Sequence, residues 1–121
     1  MGKRILLVDD DPLVIKIVKK IIETTDYEAE FCADGLEALV KLKDGSIDLV
    51  ILDIMMPEIN GYDVCYQLRF NDEYKPIPVV LLTVRDKELP DELSNRSDIA
   101  YVHKPINVKL LADTIDNFLN D

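Results

Sequence analysis

Four consecutive apolar residues, Leu49-Val50-Ile51-Leu52, run straight into a carboxylate, Asp53. A run that is apolar at every position reads as a β-strand buried on both faces, and such a strand needs a layer of structure on each side. Met55, Met56 and Pro57 come next, and then Asn60-Gly61. A strand that carries one Asp to its C-terminal end and then turns builds a site at the edge of a sheet. Alone, Asp53 would read as a strand terminator that caps the next segment. The remaining carboxylates and one lysine decide otherwise.

The same design recurs along the chain. Residues 3–8 form a strand candidate with the apolar run Ile5-Leu6-Leu7-Val8, ending at Asp9-Asp10-Asp11. Asp11 is placed to cap a helix and Pro12 to open it. Leu13, Val14, Ile17, Val18, Ile21 and Ile22 then recur at helical spacing, with Lys16, Lys19, Lys20 and Glu23 on the other face. Residues 27–32 alternate apolar and acidic, which predicts an edge strand. Ala33-Asp34-Gly35 predicts a turn, and Leu36, Ala38, Leu39 and Leu42 a short helix. A helix is expected from Gly61 or Tyr62 to Phe70, a strand from Val79 to Thr83, and a last strand from Ile99 to His103 ending at Lys104-Pro105. Asn107 caps a final helix bearing Val108, Leu111, Ile115, Phe118 and Leu119. Residues 85–98 carry only Leu89 and Leu93 as an apolar stripe, interrupted by Pro90, and predict a short or irregular helix. About five βα units imply an α/β fold, a doubly wound parallel sheet with helices on both faces.

Length and charge set the bounds. The chain has 121 residues, read as a single domain over 1–121. No apolar run is long enough to span a bilayer, and the N-terminus lacks the pattern of a secretory signal. Cys32 and Cys65 have no metal-type spacing and read as free buried thiols of a cytoplasmic protein. A formal net charge of −10 argues against gripping a nucleic-acid backbone and suits a cation or a basic partner surface.

In a parallel sheet, ligands bind beyond the carboxyl ends of the strands, where the winding reverses. The first strand brings Asp9 and Asp10 there, the third Asp53, the fourth Thr83 and the fifth Lys104. If the first and third strands are neighbours, three carboxylates meet in one crevice. Two unit charges ~4 Å apart cost about 4 kcal/mol at an effective dielectric near 20. Either a pKa rises or a cation sits among them. Carboxylate oxygens without thiolate or imidazole suit Mg2+ or Mn2+. A divalent cation, an ammonium and a hydroxyl around one carboxylate are what a transferring phosphoryl group requires, and Asp53 is the candidate nucleophile. His103 is the only histidine, so it founds no triad or zinc cluster, and it is expected to point out of the last strand.

These residues resemble the receiver domain of two-component response regulators, the CheY-like fold. The matching pieces are 6–12 (Leu-Leu-Val-Asp-Asp-Asp-Pro), 48–57 (Asp-Leu-Val-Ile-Leu-Asp-Ile-Met-Met-Pro), Asn60-Gly61, Leu81-Leu82-Thr83 and Tyr101-Val102-His103-Lys104-Pro105. The resemblance implies strand order 2-1-3-4-5, which that fold type exemplifies. It implies that Asp53 accepts a phosphoryl group from a phosphohistidine of a sensor histidine kinase or phosphotransfer protein. It implies Mg2+ held by Asp10, Asp53 and the backbone carbonyl of Met55, with Asp9 acting through water. Lys104 and Thr83 would contact the phosphoryl oxygens, and the Lys104-Pro105 bond would be cis. Phosphorylation would draw Thr83 in, turn Tyr101 inward and reshape the face made by the fourth helix, the fifth strand and the fifth helix, for a downstream protein or appended output domain. Such a protein is a switch, not a turnover enzyme. Two alternatives stand beside it. One is a phosphorylation-independent interaction module on the same fold, against which the full set Asp9, Asp10, Asp53, Thr83 and Lys104 counts. The other is a Mg2+-dependent phosphohydrolase, against which Met55 counts, since many of those place a second Asp two residues after the nucleophile.

Overall fold

The computed structural model describes residues 2–54, 61–74, 76–83 and 97–120. Five strands, β1 (Arg4–Val8), β2 (Glu28–Cys32), β3 (Leu49–Asp53), β4 (Val79–Thr83) and β5 (Ile99–His103), form one parallel sheet in the order β2-β1-β3-β4-β5. The described helices are α1 (Pro12–Glu23), α2 (Gly35–Leu42), α3 (Gly61–Phe70) and α4 (Val108–Leu119). The expected helix in 85–98 falls largely outside the described residues; Ser97 and Asp98 form the turn into β5.

Local chemistry explains each start. The Asp11 carboxylate accepts from the Leu13 amide at 2.9 Å, and Pro12 opens α1. Asn107 accepts from the Leu110 amide at 3.0 Å and caps α4 as expected. Asp34 accepts from the Glu37 amide at 2.8 Å, so α2 begins at Gly35, inside the stretch predicted as a turn. The apolar stripes are narrower than helical spacing predicts. Leu13, Leu36 and Val108, each in the first turn of its helix, are exposed.

The sheet divides two apolar layers by its pleat. Leu6, Val8, Val50, Leu52, Val79 and Leu81 face α2 and α3, meeting Ala38, Leu42, Val64, Cys65 and Leu68. Ile5, Leu7, Leu49, Ile51, Val80, Leu82 and Val102 face α1 and α4, meeting Val14, Val18, Ile21, Leu111, Ile115 and Leu119. The strands β3 and β4 are buried at every position, as continuous apolar runs require. The strand β2 lies at the edge, but its burial does not alternate cleanly: Phe31 packs against the α1/α4 layer with Lys19 held 5.2 Å above its ring. Cys32 and Cys65 are buried thiols outside any disulfide.

Candidate functional site

The strand register brings the polar residues to one edge. Val8 lies beside Leu52, and Asp53 beside Leu82. Asp9 and Asp53 therefore stand at the same level of adjacent strands, each one residue past its apolar run. By alternation both belong to the face of Leu7 and Ile51, the α1/α4 side. Thr83 pairs with His103, one level further, so Lys104 stands two levels beyond Asp53. Its parity follows Val102, again on the α1/α4 face. Two levels are about 6.6 Å of strand, which a lysine stem spans by folding back.

It does so. Lys104 Nζ lies 3.3 Å from Asp9 Oδ2 and 3.3 Å from Asp53 Oδ2. Asp9 is 1% exposed and Asp53 8%. The other oxygen of Asp9 accepts from the Asp11 amide at 2.9 Å, and the Asp9 amide donates to the Cys32 carbonyl at 3.1 Å. Burial holds the Asp9 carboxyl above the usual carboxylate range. The Asp53 charge adds to this, while the Asp11 amide and Lys104 pull the other way. Burial alone would lower the Lys104 pKa, but Asp9 and Asp53 outweigh it and raise the ammonium above its ordinary value.

Thr83 is 5% exposed at the end of β4. Alternation from Leu81 and Leu82 assigns its side chain to the α2/α3 side, opposite Asp53, while its carbonyl accepts from the Lys104 amide at 2.6 Å. The Lys104-Pro105 bond is cis, as expected. Asp10, the next residue after Asp9, is exposed. Met55 lies outside the described residues. Tyr101 is 43% exposed with its ring edge-on to His103, 6.0 Å between centroids, and His103 points outward as the sequence suggested.

The donor set suits a hard divalent cation in kind: carboxylate oxygens, with no thiolate or imidazole among them. Asp9 and Asp53 are the two that the structure gathers, and among the described residues no cluster of three or more acidic, His or Cys side chains is arranged to hold a metal. One contact went unread in the sequence. The backbone of Gly61 packs directly against that of Asp53, and the only local signal was the Asn60-Gly61 pair.

Residues 5–116 match the family model of the response regulator receiver domain. The chain belongs to the response regulator receiver family. Members of this family are signalling switches rather than turnover enzymes. The polar-differentiation response regulator DivK of Brucella anthropi is 34% identical over 122 residues, spanning all of this chain and 99% of that one. The chemotaxis response regulator CheY4 of Vibrio cholerae is 28% identical, with a TM-score of 0.81 over 98% of this chain and 100% of that one. The fold is also shared, at 22% identity and a TM-score of 0.82 over the whole of both chains, with the receiver domain of sensor histidine kinase PA1611 of Pseudomonas aeruginosa, whose structure has magnesium coordinated in the active-site cleft. Among the described residues no helix is long and apolar enough to cross a membrane.

Proposed function

We propose that this receiver domain accepts a phosphoryl group on Asp53 from a phosphohistidine of a sensor histidine kinase or phosphotransfer protein. One observation carries the reading: the buried Asp53 carboxylate shares the Lys104 ammonium, at 3.3 Å, with a second buried carboxylate, Asp9. A carboxylate oxygen of Asp53 attacks phosphorus and the P–N bond breaks. The bonding pair stays on the imidazole nitrogen, and an acyl phosphate is left on Asp53. Lys104, already poised over the acceptor, offsets charge gathering on the phosphoryl oxygens. Thr83 ends the neighbouring strand on the α2/α3 side, and its hydroxyl would reach the phosphoryl group once the loaded acceptor draws it in. Asp9, Asp10 and Asp53, with the Met55 carbonyl, would hold Mg2+, for which Mn2+ can substitute; when bound, it neutralises the charge of the transferring group.

The new dianion then biases a two-state element. Thr83 moves toward it, the exposed Tyr101 turns inward, and the face that includes β5 and α4 changes for a downstream protein or output domain. Intact-protein mass after incubation with acetyl phosphate and Mg2+ tests the reading. The parent gains one acid-stable, base-labile phosphoryl group. Asp53→Asn gains none, and neither does the parent without a divalent cation. If the parent gains none and also forms no beryllofluoride complex with Mg2+, the reading is wrong and the domain signals without phosphorylation.

A further inference from the structure

Gly61 is the first residue of α3 and is buried. Its amide donates to the Ile54 carbonyl at 3.1 Å, so the two ends of the 55–60 connection meet at the end of β3. A Cβ on Gly61 would stand 2.8 Å from the Asp53 carbonyl oxygen, 2.9 Å from Ile54 Cα and 3.2 Å from the Asp53 carbonyl carbon. All three are backbone atoms, so no flexible side chain can swing away. The same backbone is held from the other side: the Ile54 amide donates to the Leu82 carbonyl of β4 at 3.0 Å. A side chain at position 61 is therefore relieved only by pushing the start of α3 off the sheet or by displacing the peptide that carries Asp53.

We infer that Gly61 is a positioning residue for the acceptor. Its bare Cα lets α3 begin against the carbonyl of Asp53. That contact fixes the peptide from which the carboxylate extends toward Asp9 and Lys104. This rests on reading Asp53 as the phosphoryl acceptor. The three atoms nearest a Cβ at position 61 are all backbone, so Gly61 acts through the Asp53 peptide and not on the reacting atoms. Displacement of a reacting group by ~1 Å costs on the order of 100-fold in rate.

The test compares Gly61→Ala with Leu68→Ala, a buried position on the same helix that packs into the α2/α3 layer away from the acceptor. Phosphorylation by acetyl phosphate with Mg2+ is followed by intact mass and normalised to the folded fraction seen in an amide-resolved NMR spectrum. The parent and Leu68→Ala take the phosphoryl group at similar rates per folded molecule. Gly61→Ala is at least about tenfold slower at saturating donor, with Asp53 and Ile54 amide shifts displaced. Gly61→Ala at the parental rate overturns the inference. So does equal slowing of both variants, which would make the loss one of stability alone. A parent that takes no phosphoryl group instead counts against the acceptor reading itself, and the inference falls with it.

Discussion

Lys104 shares one positive charge between two buried carboxylates, and its removal separates what each residue costs the fold. Without the ammonium, Asp9 and Asp53 face each other in a water-poor edge. Lys104→Met is expected to lose about 3 kcal/mol in urea unfolding at neutral pH, as when one member of a buried pair is deleted. Asp9→Asn should go the other way. Its amide oxygen keeps the bond from the Asp11 amide, and the change removes a charge that burial penalises. Because the Asp9 pKa is raised in the fold, its contribution is fully present below the ordinary carboxylate value and lost as pH rises through the folded one. The gain from Asp9→Asn is therefore expected at about 1 kcal/mol at neutral pH and shrinks toward acid. An Asp9→Asn protein less stable than its parent at neutral pH would show that pairing, not burial, dominates Asp9.

Among the elements, α3 is tied at both ends. Gly61 sets its start, and Arg69 anchors its last turn. The Arg69 side chain is 1% exposed, with Nε 3.2 Å from Asp98 Oδ2 in the turn entering β5 and a further bond to the Ile77 carbonyl before β4. Asp98→Ala removes a countercharge from a guanidinium sealed in the interior. A loss of about 2 kcal/mol in urea unfolding is expected, and a loss near zero would mean that the other partners of Arg69 hold it without Asp98. Nothing in the sequence announced this pair, because its members lie on different elements 29 residues apart. The strands were legible for the opposite reason. β3 and β4 are buried on both faces, so every position is apolar and no periodicity has to be judged. The strand ends were legible as well, since Asp9, Asp53, Thr83 and Lys104 interrupt those runs. What stayed hidden depends on close approach: the Gly61 contact, the cap that starts α2 at Gly35, and the exposure of Leu13 and Leu36.

The whole molecule is also held across its sheet edge. The Tyr27 hydroxyl, just before β2, donates to Asp116 of α4 at 2.9 Å. Burial, and then the Asp116 carboxylate, push its pKa up to about 12. An unfolded tyrosine ionises near 10. The stabilisation is thus complete below pH 10 and is lost as pH rises through about 12. Tyr27→Phe is expected to be about 1 kcal/mol less stable at neutral pH, and chemical unfolding at a series of alkaline pH values should show the two proteins converging. A gap constant to pH 12 would break the link between the hydroxyl and α4.

Lys104 lies 95 residues after Asp9 and 51 after Asp53. During synthesis the two acids emerge long before the lysine. A chain that has reached only β4 holds both carboxylates without the ammonium that bridges them. The cluster is therefore complete only when the last strand is laid down.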